Sequence, residues 1–139
     1  MRSAIDTNVI SALLANQPAS GLAERLLLAA GEQGGLVICG PVYSELLAQA
    51  GMTAAFMDNF LLQTGIDVEF DLGKRIWEGA GLACERYARR KVRSGGGSAR
   101  RILADFLIGA HASIRTDRLV TFDPDGYRSD FPHLVLLGG

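Results

Sequence analysis

The sequence predicts an α/β layered domain built on a mainly parallel sheet. Short apolar runs of strand length alternate along the chain with longer segments whose apolar residues recur at helical spacing, and that alternation is the mark of such layers. The second observation is size and composition. At 139 residues, 48% hydrophobic and 21% charged, the chain is long enough for a proper core, argues against disorder, and is read as one domain, 1–139.

Ser3 to Asp6 reads as a buried strand, and Asn8 to Leu14 as a short helix stopping near Asn16-Gln17-Pro18. Ser20 is the expected N-cap of a second helix, with Leu22, Leu26 and Ala29-Ala30 at helical spacing and Gly34-Gly35 ending it. Leu36 to Cys39 is a buried strand. Gly40-Pro41 starts a helix, with Pro41 suited to its first turn, running through Val42, Glu45, Leu46 and Leu47 until Gly51 breaks it. Thr53 to Gln63 is the next helix. Ile66 to Phe70 is a strand with Asp67 and Glu69 turned outward. Asp71 then caps a long helix carrying Ile76, Trp77, Ala80, Ala83-Cys84 and Tyr87. The stretch Arg93 to Arg101, with three glycines at Gly95–Gly97, interrupts it as an expected mobile flap. A helix over Ile102 to Ile114 and strands at Arg118 to Thr121 and Leu134 to Leu137 complete the chain.

Net charge is -1, so the overall balance points to neither nucleic acid nor membrane as a partner. Cys39 and Cys84 lack metal-ligand spacing and suggest no disulfide framework, which fits a reducing interior. Asp6 interrupts the first apolar run, so no signal peptide is expected, and no apolar stretch reaches the ~20 residues of a membrane span. The expected location is the cytoplasm, with no membrane partner.

Four acids stand out. In open parallel sheets ligands bind beyond the carboxyl ends of the strands, near the switch in strand order. Asp6 lies at such an end, and Asp123 follows the Leu119-Val120-Thr121 strand. Glu45 sits about one turn into the helix leaving the second strand. Asp105 lies in the first turns of its helix, flanked by Ile102, Leu103, Phe106 and Leu107. Each has a plainer explanation: Asp6 as a helix cap through Asn8 or Val9, Glu45 as a solvated helix residue, Asp123 as a turn opener. Asp105 has no obvious packing purpose. Converging on one edge, the four would repel one another unless protons or a hard cation neutralised them, and an all-oxygen set favours Mg²⁺ or Mn²⁺ over zinc. His111 and His133 are read as packing or surface residues.

"IDTNVISALL", the acid after Pro41 in "GPVYSELL", "ADFLIGAHA" and "LVTFDPDGYRSDFPHLVLL" together resemble PIN-domain ribonucleases, most nearly the VapC-type toxins of prokaryotic toxin–antitoxin pairs. The likeness runs from Met1 almost to Gly139. It implies a PIN-like three-layer α/β/α sandwich and a metal-dependent endoribonuclease, the toxin of such a pair and an inhibitor of translation. Asp6, Glu45, Asp105 and Asp123 fall on the family's acidic cluster, and Thr7, Asn8 and Thr121 on the small polar positions around the metal. Asp6, Asp105 and Asp123 are the expected metal ligands, with Glu45 completing the shell, holding a second ion or orienting the attacking water. Asp125 is an extra acid in the turn, and Asp117 a weaker rival to Asp123 because it precedes the strand.

Between Arg86 and Arg101 lie Arg86, Arg89, Arg90, Lys91, Arg93, Arg100 and Arg101, half of the 14 lysines and arginines, with no acid among them. Beside a nuclease-like acid cluster this stretch is the expected RNA grip, supplying phosphate contacts with little base discrimination. Apolar helices around Leu22, Leu26–Leu28, Phe56 and Phe60–Leu62 are mostly core, with excess surface for a homodimer face or a partner helix. The resemblance names that partner as a cognate antitoxin. The alternative function is a non-catalytic RNA- or protein-binding module, which would have lost or misplaced an acid. Phosphotransfer domains fit poorly, because Asn8 and Thr121 stand where an acid and a lysine would be needed.

Overall fold

The structure is a computed structural model that describes residues 1–93 and 102–138. Strand β1 (Ser3–Ile5) leads through Asp6 into α1 (Thr7–Leu14), followed by α2 (Ser20–Gln33) and β2 (Leu36–Cys39). Helices α3 (Gly40–Leu47) and α4 (Ala54–Thr64) then lead to β3 (Ile66–Glu69). The rest is α5 (Gly73–Arg93), α6 (Leu103–Arg115), β4 (Arg118–Val120), α7 (Asp125–Arg128) and β5 (Leu136–Leu137).

Helix limits follow local chemistry. The Thr53 hydroxyl accepts from Phe56 N (3.1 Å) to open α4, and Gly65, at φ +70°, closes it in the left-handed conformation that glycine adopts without strain. Pro41 sits in the first turn of α3, where its missing N–H costs nothing. Asp71 accepts from Gly73 N at 3.2 Å as α5 begins.

The five strands lie in the order β3-β2-β1-β4-β5, and every pairing is parallel. The chain lays down β1, β2 and β3 in one direction, then returns to add β4 on the free side of β1. Right-handed crossovers put the connecting helices of these two passes on opposite faces, giving the three layers. The order therefore reverses between β1 and β4. Ala4 pairs with Val37 on one side and Leu119 on the other, and Asp6 N donates to Val120 O (2.9 Å), extending the β1–β4 ladder to the very edge. Strands β1, β2 and β4 are buried throughout, as continuous apolar runs in a covered parallel sheet should be.

Four sequence expectations are corrected. Ser20 is the first residue of α2 and not its cap; Ala19 holds the cap position without a side-chain bond, and the Ser20 hydroxyl reaches only to Asn16 Oδ1 at 3.5 Å. The last strand shortens to Leu136–Leu137, because Leu134 is held in a turn by Phe131 O (3.1 Å). The turn after Asp123 contains the short helix α7. Glu69 does not face solvent freely, whereas Asp67 is exposed as expected. The Gly95–Gly97 loop lies outside the described residues.

Glu69 organises a polar knot. One of its oxygens lies 3.0 Å from Arg2 Nη1 and 3.0 Å from the Nε2 of buried His111, and the other accepts from Arg115 Nη1 at 2.8 Å. Arg115 also donates to the carbonyls of Asp71 (2.9 Å) and Leu72 (2.7 Å), tying α6 to the start of α5. Burial pushes the Glu69 carboxyl up, but hydrogen bonds from His111 and Arg115 and the Arg2 charge outweigh it and hold the group below its usual range. Burial lowers the His111 pKa below its ordinary value despite Glu69. Removing Glu69 strands these donors. Glu69→Ala is expected to cost about 2 kcal/mol in urea unfolding, while Asp67→Ala on the same strand stays within about 0.5 kcal/mol; equal effects would contradict the knot.

Candidate metal centre

At the carboxyl edge, between β1 and β4, Asp6, Glu45, Asp105 and Asp123 line one cleft of about 430 Å³ together with Thr7, Asn8, Ser11, Gln17, Gln49 and Tyr127. Four separate segments supply the acids. Asp6 is where β1 ends, Glu45 lies in α3 after β2, Asp105 opens α6, and Asp123 lies in the turn after β4.

Asp6 is buried, 6% exposed, and its oxygens are engaged. Oδ1 accepts from Thr7 N (2.8 Å), so Asp6 does cap α1, through Thr7 and not through Asn8 or Val9. Oδ2 accepts from the Thr121 hydroxyl (2.8 Å) and the Tyr127 hydroxyl (3.0 Å). The Thr7 hydroxyl donates to Glu45 Oε1 at 2.6 Å, joining β1's end to α3. Thr121 Oγ1 also accepts from Asp123 N (3.0 Å), so one hydroxyl fixes both acids of this edge. Asn8 Oδ1 accepts from Phe122 N (3.2 Å) and so shapes the turn carrying Asp123 instead of touching a carboxylate. Asp105 caps its own helix by accepting from Ile102 N at 3.1 Å. Of the rivals, Asp117 is bonded to Arg2 N (2.6 Å) outside the cleft, and exposed Asp125 pairs with Arg128.

Burial raises the pKa of Asp6 above the ordinary carboxylate value, against the three hydrogen bonds that lower it, and the Asp105 charge raises it further. Burial likewise raises Glu45, with the charges of Asp105 and Asp6 adding to it. Burial first of all pushes the Cys39 thiol up to about 12, far from nucleophilic use, and the charges of Asp6 and Glu45 add to it. Three of the acids thus feel one another across the cleft.

Among the described residues, no three His, Cys, Asp or Glu side chains are gathered into a closed coordination shell. Asp6 has both oxygens turned to protein donors, and Asp105 and Glu45 each accept from a protein donor of their own. The donor chemistry fits a hard divalent cation: carboxylate and hydroxyl oxygens line the cleft, while His111 is buried on Glu69 elsewhere.

Tyr127 is the residue that sequence reading missed. Its signal was present only as an aromatic in a turn; burial at 1% exposure with its hydroxyl on Asp6 requires α7. The basic stretch is partly compensated by acids outside it. Arg90 pairs with buried Asp130 (2.7 Å), Arg86 donates to Asp130 O (3.5 Å), and Arg89 pairs with Glu85 (2.8 Å). Arg90 and Lys91 stand 5.8 and 5.7 Å from the Tyr87 ring centroid. Arg86, Arg89, Arg90 and Arg93 still enclose a recess of about 210 Å³ on α5. Arg100 and Arg101 lie outside the described residues. Among the described residues no helix is long and apolar enough to cross a membrane.

Fold and cleft together define an all-parallel α/β domain with an acid-lined pocket at its topological switch point. The chain belongs to the PIN domain family, whose model matches residues 4–132. Similar solved structures include VapBC2 from Rickettsia felis bound to a DNA fragment from their promoter, with 19% identity and TM-score 0.67, covering 99% of this chain and 98% of that one. VapBC-1 from nontypeable Haemophilus influenzae gives 21% identity and TM-score 0.65 over 99% and 98% of the two chains. DNA-bound VapBC from Salmonella typhimurium gives 21% and 0.62 with the same coverage. At these identities the likeness is one of fold. No curated protein matches the chain.

A carboxyl whose folded pKa is raised binds its proton more tightly when folded, so its ionisation destabilises the fold as pH rises through that value. In EDTA, the thermal stability of Glu45→Gln relative to the unsubstituted protein should therefore increase from pH 5 to pH 8, since the amide keeps the Thr7 bond and sheds the charge. His111 titrates in both proteins and cancels in the difference. A difference independent of pH would show that the Glu45 pKa is not raised in the folded protein.

Proposed function

We propose that this chain is a divalent-metal-dependent endoribonuclease, the toxin of a toxin–antitoxin pair that inhibits translation. One observation carries the reading: four carboxylates from four segments line a single cleft at the switch point of a PIN-domain sheet. Packing gains nothing from such a gathering, which raises the cost of ionising Asp6 and Glu45.

Asp6, Asp105 and Asp123 would hold Mg²⁺ or Mn²⁺. When bound, the cation supplies charge relief at the scissile phosphate and a more acidic water. The protein's own share is orientation and proton handling. Thr7, Thr121 and Tyr127 fix the Asp6 oxygens, and Thr121 with Asn8 fixes the turn that presents Asp123. Glu45, raised by burial and by its acidic neighbours, is suited to accept the proton of the attacking water. RNA would be held through phosphates by the basic stretch Arg86, Arg89, Arg90, Lys91, Arg93, Arg100 and Arg101, of which Arg86, Arg89, Arg90 and Arg93 line the recess of α5. Leu28, Phe56 and Leu62 are 61%, 54% and 81% exposed, apolar surface suited to an antitoxin or a second copy. The likeness to VapBC structures supports an antitoxin as the partner.

Pure protein incubated with total RNA should cut it in Mg²⁺ and not in EDTA, and Asp6→Asn or Asp105→Asn should lose at least about a hundredfold in rate while remaining folded. Equal cleavage by these variants would contradict the assignment, and tight RNA retention without cleavage would favour a binding module. Arg93→Ala should weaken RNA retention and flatten its salt dependence, by about one counterion; an unchanged salt slope would remove α5 from the grip.

A further inference from the structure

The acidic cleft has a neutral wall. Its volume, about 430 Å³, is more than ten times the roughly 30 Å³ share of one water, so it has room for part of a substrate beside its acids. Away from the carboxylates the lining is Ser11, Gln17 and Gln49. Gln49 lies just past α3 with its backbone fixed, donating to Leu46 O (3.3 Å) and accepting from Met52 N (3.2 Å). Its side-chain amide donates to the Ser11 hydroxyl of α1. A primary amide has two N–H donors and a carbonyl acceptor, so the Ser11 bond leaves one donor and the acceptor uncommitted to that partner.

Gln17 reaches the cleft by a different route. Asn16 stands at φ +50°, a left-handed conformation that costs a non-glycine residue strain, least for asparagine. Gln17 N then donates to Ala12 O (3.1 Å), pinning the turn onto α1. Among the described residues nothing hydrogen-bonds the exposed Gln17 amide, so the turn carries a polar side chain to the cleft without a structural partner for it there.

We propose that Gln49 and Gln17 read a nucleobase next to the scissile phosphate, with Ser11 positioning Gln49. This rests on the RNA-cleaving reading above and names its specificity. Unstacked RNA bases are neutral and present donor–acceptor edges, and a planar amide with one donor and one acceptor complements such an edge. Carboxylates on that wall would repel the flanking phosphates; amides do not. The arginines of α5 hold the backbone of any sequence, whereas the amide wall discriminates.

The test is cleavage of a randomised single-stranded RNA pool in Mg²⁺, with cut ends sequenced, followed by kcat/KM on short oligonucleotides differing only at the preferred base. The unsubstituted protein should favour one base class at a fixed position beside the cut. Gln49→Ala should lower the preferred-to-disfavoured kcat/KM ratio about tenfold, the size of one lost two-bond base contact, by losing rate on the preferred oligonucleotide. Gln17→Ala, at an exposed position where folding is not at stake, should also lower the ratio. Unchanged ratios, or equal loss on every sequence, would overturn the inference and leave Ser11–Gln49 as a tie between helices. Cutting by the unsubstituted protein without base preference overturns it too. Failure of that protein to cut any RNA instead overturns the nuclease reading, on which this depends.

Discussion

The Asp6 carboxylate is the constraint around which the molecule is arranged. It is nearly buried, negatively charged when ionised, and set where the order of a parallel sheet reverses. A buried carboxylate survives only with donors around it. Three supply that here: a backbone N–H at the start of α1, a hydroxyl just past β4, and a phenol from α7. Each belongs to a different element, so holding Asp6 also fixes how β1, β4 and the C-terminal turn meet. The bonds offset the burial only in part, since the group's pKa remains raised. That residual strain is what a cation held in the cleft, as proposed, would relieve.

A second polar centre works with the opposite sign. Around Glu69, one acid faces two arginines and a histidine, and positive partners outweigh burial. Around Asp6, acid faces acid. The Glu69 knot contributes stability that is lost as pH falls through its lowered pKa, whereas ionisation of Asp6 and Glu45 removes stability as pH rises through their raised ones. Helix α6 carries both ends of this contrast, Asp105 at its start and His111 with Arg115 toward its end. A helix anchored firmly at one end presents a carboxylate to the cleft at the other.

The fold was largely legible because burial in a parallel sheet writes itself as continuous apolar runs: Leu36–Cys39 and Leu119–Val120 are as buried as they read. Gly65 and Pro41 mark helix ends by backbone chemistry that depends on no distant residue. Asp6 and Asp123 were legible beside strand ends and Glu45 one turn past another, while Asp105 stood out as an acid among apolar helix neighbours. What stayed hidden depends on partners far along the chain. Glu69 looked like the outward half of an alternating strand until His111, Arg115 and Arg2 met it. Asp130, far along the chain from the basic stretch, drew no notice in the sequence, yet it pairs with Arg90. Tyr127 in a turn gives no sign that its hydroxyl belongs to Asp6. Ser20 had the chemistry of a cap but not its position, because Ala19 took the helix one residue further back.

The most direct measurement is anomalous diffraction from crystals soaked in millimolar Mn²⁺. A shared cation site predicts a peak inside the cleft, within ligand distance of oxygens from Asp6, Asp105 and Asp123, and its disappearance in Asp105→Asn crystals of the same form. No peak in the cleft, or one held by other residues while these carboxylates stay on their protein donors, would contradict it.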